Sequence, residues 1–214
     1  MSETRTSSCS AALALPFAVL LGAAVLANSP PLDASEPRYS AAVPADTALP
    51  SGKRMAYGML YSDRFGIPME LALTIVDAAV AEGVDPELGF RLVRVESRFE
   101  PRARSKSNAL GLAQIKFATA HLLDRSLRSE AELFEPRTNL RLGFRFLRHM
   151  IHRYKGDVRL GLLAYNQGPN AVDGMLKRGA NPENGYSHKV LGTRGDAPYR
   201  GKGLRRNSRS TLPR

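Results

Sequence analysis

Apolar residues recur every three to four positions through most of the central chain, the spacing of helices that bury one stripe. Leu71, Ile75 and the pair Ala78-Ala79 predict a helix over 68–82, with Pro68 suited to its first turn. Asp85-Pro86 is a helix-start signal, a capping side chain followed by the residue that favours the first helical position. From there Leu88, Leu92, Val95 and Phe99 carry a stripe toward Pro101, where the helix is expected to end. Residues 54–65 and 117–127 read as further helices. The most amphipathic stretch is 138–154, with Leu140, Phe144, Leu147 and Ile151 on one face and arginines around the rest. Such a stripe predicts core. Asp157 then caps a helix that stops at Gly168-Pro169, and 171–177 adds a short one. Strand patterning is confined to short pieces near 110–115, so the fold is expected to be mainly α.

The flanks read differently. Residues 11–27, AALALPFAVLLGAAVLA, form an apolar run after a short polar start, with small residues at Val25-Leu26-Ala27 suited to cleavage. This predicts export, by a cleaved leader over 1–27. The run is also at the short end of a spanning helix, so membrane association through residues 11–27 is the alternative. Residues 28–52 are rich in Pro, Ala and Ser and predict a flexible linker. A folded domain is expected over 53–192. Residues 193–214 are Gly/Arg-rich with hardly any apolar side chain, which predicts a disordered basic tail.

One side chain on the helix after Pro86 stands out. Glu96 follows Leu92 and Val93 by one turn and precedes Phe99 by three residues, which puts its carboxylate at the edge of the apolar stripe. Apolar walls strip solvation from a carboxylate and raise its pKa, keeping it protonated near neutrality as a general acid must be. The other reading of this helix alone is a solvated glutamate paired with a nearby arginine. Glu100, beside Pro101, is expected to face solvent. Downstream, Gly111-Leu112-Ala113-Gln114-Ile115 places a glycine where backbone can approach closely and then a lone amide among apolar residues. Tyr165 and Asn166 fall at the end of the helix that Asp157 opens.

Together these residues carry a resemblance. Glu96-Ser97-x-Phe99-x-Pro101-x-Ala103-x-Ser105, then Gly111-Leu112-x-Gln114-Ile115 with Thr119-Ala120, then Ala164-Tyr165-Asn166-x-Gly168-Pro169, resemble the three signature blocks of the soluble lytic transglycosylase (SLT) catalytic domain. The likeness covers about 55–191 and implies a lysozyme-like helical domain with a substrate cleft between helices. It further implies that Glu96 is the catalytic acid and base, that Ser97 and Gln114 contact an acetamido sugar, that Tyr165 lies over the reacting centre, and that Asn166 holds the cleft. The implied reaction breaks the MurNAc–GlcNAc β-1,4 bond of peptidoglycan and closes a 1,6-anhydroMurNAc ring. A lone carboxylate fits that chemistry, because a 2-acetamido group can stabilise the sugar centre itself. Departures from the family pattern are Asn108 and Asn170 in place of glycine, Ala113 for methionine, Phe117 for proline and Gln167 for alanine. Ala113 and Gln167 are expected to flank the cleft. Competing functions are a hydrolytic muramidase of the same architecture and an envelope-binding or secretion-assembly protein with weak glycan activity.

Charge and composition narrow the partners. The net charge of +11 favours polyanions without choosing among them. The basic tail could capture anions of the wall or membrane. No aromatic interleaving supports base stacking, so nucleic acid is not an expected partner. The single cysteine, Cys9, excludes an internal disulfide and a cysteine zinc site. The four histidines, His121, His149, His152 and His188, show no metal-like clustering, so neither metal nor cofactor is expected. The expected partner is the glycan strand, met in the periplasm or cell envelope of a bacterium, with a secretion or conjugation complex as a further candidate.

Overall fold

A computed structural model describes residues 49–192. The leader, most of the linker and the basic tail lie outside the described residues.

Helix α1 (Ser51–Phe65) begins two residues inside the stretch read as linker. Its last turn ends at Gly66, in the left-handed conformation that glycine adopts without a Cβ penalty. Helix α2 (Met69–Ala81) packs against it and opens after Pro68. Helix α3 (Pro86–Ser97) starts as expected: the Asp85 carboxylate accepts the Glu87 amide at 2.8 Å, and Pro86 needs no partner for a missing N–H. A two-stranded antiparallel ladder follows, β1 (Ala109–Leu110) with β2 (Ile115–Lys116). Next come α4 (Phe117–Leu123), a 3-10 turn over Glu130–Phe134, and the long α5 (Pro136–Arg153). Helices α6 (Val158–Gln167), α7 (Pro169–Lys177) and α8 (Tyr186–Leu191) complete the domain.

Two expected helix ends fall short, and one helix was not expected. Helix α3 ends at Ser97 rather than Pro101, because Arg98 and Phe99 both take left-handed backbone at φ 52° and 66°. Two such residues in a row cost on the order of 1–2 kcal/mol each. What offsets that is the Phe99 ring, which packs 5.2 Å from Phe65 and 6.5 Å from Phe90, centroid to centroid. Helix α4 stops at Leu123, four residues short of the expected 127, with extended backbone at Asp124. Helix α8 has too few turns for a period to show in the sequence.

The main core lies where α2, α3, α5 and α6 meet. Phe90, Leu92, Leu140, Phe144, Leu147 and Leu162 are fully covered there, and Phe90 stacks on Tyr61 of α1 at 4.1 Å. The expected α5 stripe therefore is core. Two buried charges brace the frame. Glu82, just past α2, accepts two hydrogen bonds from Arg145 of α5 at 3.0 and 3.1 Å. Arg91 of α3 pairs with Glu87 and donates to the Leu191 carbonyl at 3.2 Å, which fastens α8 to α3. That second link matters for the site, since α8 carries Tyr186.

Candidate active site

Glu96 sits in the last turn of α3, half-buried, where the helices carrying Tyr165 (α6) and Tyr186 (α8) converge. The early stop of α3 leaves the carboxyl at the helix end instead of mid-helix. Burial pushes its pKa up to about 7, against the pull of the Tyr186 hydroxyl, which donates to Oε1 and favours the ionised form. The negative end of the helix dipole opposes a further negative charge at the same place. Both tyrosine hydroxyls are held well above their usual pKa by burial and by the Glu96 charge, so they act as neutral donors near neutral pH. Arg94 and Arg98 are exposed.

Of the sequence-predicted residues, the structure brings Tyr165 to Glu96, while Ser97, Gln114 and Asn166 make hydrogen bonds to other groups. Tyr165 is buried beside it, its hydroxyl donating to the Ala113 carbonyl at 2.6 Å. Ser97 is buried too, and its hydroxyl donates back to the Val93 carbonyl of its own helix at 3.2 Å. Gln114 has left-handed backbone at φ 47°, and its amide nitrogen donates to the carbonyls of Gly111 at 2.9 Å and Ala103 at 3.2 Å. Asn166 is half-buried at the end of α6, where its Oδ1 accepts the Asn184 side-chain amide at 3.0 Å. Glu100 is exposed and accepts the Arg102 amide.

The 98–114 loop is held by backbone hydrogen bonds as well as by the buried side chains of Leu110 and Leu112. Gly111 donates to the Ala103 carbonyl at 2.8 Å, Ser105 to that of Ala109 at 3.0 Å, and Asn108 turns the chain in left-handed conformation at φ 58°. Beneath it, α5 presents Asn139 and Gly143, one turn apart. Asn139 Oδ1 accepts the Ala113 amide at 2.7 Å while Nδ2 donates to the carbonyls of Leu110 and Leu133, both at 2.8 Å. A Cβ on Gly143 would stand 2.3 Å from that of Ala113 and 3.2 Å from the Tyr165 hydroxyl. Ala113 is therefore fully buried against α5 instead of flanking a cleft. A small residue at 113 and none at 143 allow the loop to come close enough for its carbonyl to catch Tyr165.

Two contributors escaped the sequence reading. Tyr186 lies in a stretch with no apolar period, and its only signal was its place after a run of turn-forming polar residues, Asn181 to Gly185. Asn139 was a polar residue inside an amphipathic helix beside the apolar stripe, a position that argues for a buried hydrogen-bond hub once the neighbouring loop is known. Among the described residues no cluster of three or more His, Cys, Asp or Glu side chains could hold a metal.

Fold and site together define a helical, lysozyme-like domain in which the Glu96 carboxyl is held above its ordinary pKa. The chain belongs to the transglycosylase SLT domain family, whose model matches residues 74–185. It is 35% identical over 109 residues to the transglycosylase of Enterobacteria phage PRD1, covering 51% of this chain and 39% of that protein. It is likewise 35% identical over 91 residues to a putative soluble lytic murein transglycosylase of Haemophilus influenzae, covering 41% of this chain and 15% of the relative. Among solved structures it is similar to an inactive glutamate-to-glutamine variant of the lytic transglycosylase Slt from Pseudomonas aeruginosa, with TM-score 0.54 and 31% identity over 61% of this chain and 24% of that one. The 70-kDa soluble lytic transglycosylase of Escherichia coli shares the fold at TM-score 0.51 and 22% identity, again over 61% of this chain and 24% of that one. This chain thus spans less than half the length of these relatives.

Proposed function

We propose that the domain cleaves the MurNAc–GlcNAc β-1,4 bond of peptidoglycan by lytic transglycosylation, with Glu96 as both acid and base. The observation that carries this reading is a single half-buried carboxyl, poised at about 7 and held by a tyrosine hydroxyl. Acids on and around the same elements are engaged elsewhere: Glu100 is exposed and accepts the Arg102 amide. Glu87 pairs with Arg91, and Glu183 binds Arg159 and Ser187. A carboxyl titrating near neutrality serves equally well in giving and in taking a proton.

In the first step the Glu96 carboxyl gives its proton to the glycosidic oxygen as the C1–O bond breaks, and the sugar's own 2-acetamido oxygen supports the electron-poor C1. In the second step the Glu96 carboxylate takes the proton of the muramic C6 hydroxyl, whose oxygen closes on C1. Glu96 regains its proton and no water is consumed. Ring closure within one sugar has a high effective concentration, which removes the need for a second protein base. Both amide hydrogens of Gln114 are committed to backbone carbonyls, so a sugar acetamido N–H would be received by its Oε1. Tyr165 covers the reacting centre; Ser97 and Asn166 hold the walls of the sugar path. The Haemophilus relative, named a putative murein transglycosylase, supports action on the cell wall, and the apolar run at 11–27 fits delivery to the envelope, whether as cleaved leader or anchor.

Mass spectrometry of purified peptidoglycan after digestion tests the reaction. Muropeptides lighter by one water than their hydrolysed counterparts are expected; products with a free reducing end would replace the reading with a muramidase, and intact wall with bound protein would replace it with a binding role. A second expectation concerns pH. The first step needs Glu96 protonated, so kcat/KM should fall on the alkaline side with an apparent pKa near 7. Initial rates of wall solubilisation between pH 5 and 9 measure this, and a flat profile would remove Glu96 as the acid.

A further inference from the structure

Tyr186 reaches Glu96 through two supports, the Arg91–Leu191 link from α3 and the segment 178–185, between α7 and α8, which returns to the end of α6. Three polar links tie that segment to α6. Arg159 Nε donates to Glu183 Oε2 at 2.8 Å and Asn184 Nδ2 donates to Asn166 Oδ1 at 3.0 Å, both in exposed positions where water competes. The third differs. Gln167 is half-buried, and its Nε2 donates at 2.8 Å to the carbonyl of Pro182, a buried residue, so solvent is a poorer substitute there. From Pro182 onward the segment is internally braced. Glu183 accepts the Gly185 amide at 2.7 Å and the Ser187 hydroxyl at 2.6 Å, and Asn184 accepts the Tyr186 amide at 3.0 Å. A displacement at Pro182 is therefore passed on to Tyr186. Alanine, the residue the family usually carries where Gln167 stands, has no such donor.

We propose that Gln167 is a positioning residue of this chain: by holding the Pro182 carbonyl against α6, it sets how closely the Tyr186 hydroxyl meets the Glu96 carboxyl. The consequence for turnover rests on Glu96 being the acid; the geometric claim does not. Among the described residues, the titratable groups that interact with Glu96 are Tyr186 from α8 and Tyr165 from α6, both neutral near neutral pH, while Arg94 and Arg98 at the end of its own helix are exposed. The strength of the Tyr186 bond is thus readable in the titration of Glu96 itself.

The test is a carbon-13 NMR titration of the Glu96 carboxyl, assigned by its loss in Glu96→Gln, in the unsubstituted chain and in Tyr186→Phe, Gln167→Ala and Gln167→Met. Tyr186→Phe should move the midpoint upward, because the donor that favours the ionised form is gone. Gln167→Ala should move it the same way by a fraction of that amount, with little change in melting temperature. Gln167→Met fills the same space without the donor and should match Gln167→Ala. Turnover at neutral pH should fall roughly 10-fold in kcat for the Gln167 variants, with KM unchanged, as expected for loss of orientation rather than of binding. A wild-type Glu96 midpoint in Gln167→Ala, or in Gln167→Met alone, overturns the proposal, as does a midpoint unmoved in Tyr186→Phe. Full activity in Glu96→Gln would instead overturn the functional reading, and the titrations would still decide the role of Gln167.

Discussion

Glu96→Gln is expected to lower glycan cleavage by roughly a thousandfold, the scale of losing a positioned general acid and base. Glutamine keeps the shape and can still meet the Tyr186 hydroxyl through its carbonyl oxygen, so binding of the wall should survive while its release as soluble fragments stops. The same substitution should stabilise the fold at alkaline pH. The carboxyl's pKa is about 7 in the folded chain against an ordinary value of 4.5. The folded state therefore binds this proton more tightly, and the stability it lends is fully present below about 4.5 and lost as pH rises through about 7. A difference of that size corresponds to up to about 3 kcal/mol. Glutamine carries no such dependence. Melting curves should place the variant close to the unsubstituted chain at pH 5 and clearly above it at pH 8. A gap that stays constant with pH would mean that the buried carboxyl is not strained in its ionised form. Lost activity with gained stability is the signature of a site held at the fold's expense.

How much of this was legible in the sequence depended on how local the determining forces are. Helix starts were readable at Asp85-Pro86 and Asp157 because a capping side chain acts within three residues of itself. The α5 stripe was readable because burial repeats with the helix. The early end of α3 was not, since left-handed Arg98 and Phe99 are tolerated only through the packing of the Phe99 ring on Phe65 and Phe90, residues distant or on the helix itself. Glu96 announced itself by an apolar edge and by its signature block. Tyr186, ninety positions later, is brought there by the α3–α8 link and the return of the 178–185 segment, neither of which leaves a periodic trace. Ala113 shows the same limit in reverse. Its place in a signature block suggested a cleft-lining residue, whereas its burial is decided by Gly143 on a helix thirty residues on.

Asn139→Ala should cost about 4 kcal/mol of stability, since three buried backbone groups lose their partner at once. Alanine leaves the Ala113 amide and the carbonyls of Leu110 and Leu133 to find partners in a space shaped for a side-chain amide. Inward movement of the loop is limited by the backbone beneath it: Gly111 already lies so near that a Cβ there would stand 2.7 Å from the Leu133 carbonyl. Asn139→Asp separates the hydrogen-bonding argument from simple volume loss. An aspartate keeps the acceptor for Ala113 but, when ionised, turns two donors into negative charge against two carbonyls. Its burial would raise its pKa, so the Asp variant should recover stability as pH falls through that raised value, whereas the Ala variant should not. Urea unfolding at pH 5 and pH 8 measures both. Activity should fall with either change in the fraction that remains folded, because the Ala113 carbonyl that receives Tyr165 rides on the same loop. If Asn139→Ala stays within about 1 kcal/mol of the unsubstituted chain, the net worth of a single hydrogen bond, then α5 is not what fixes this loop, and the frame behind Tyr165 must be sought in the backbone ladder of β1 and β2 instead.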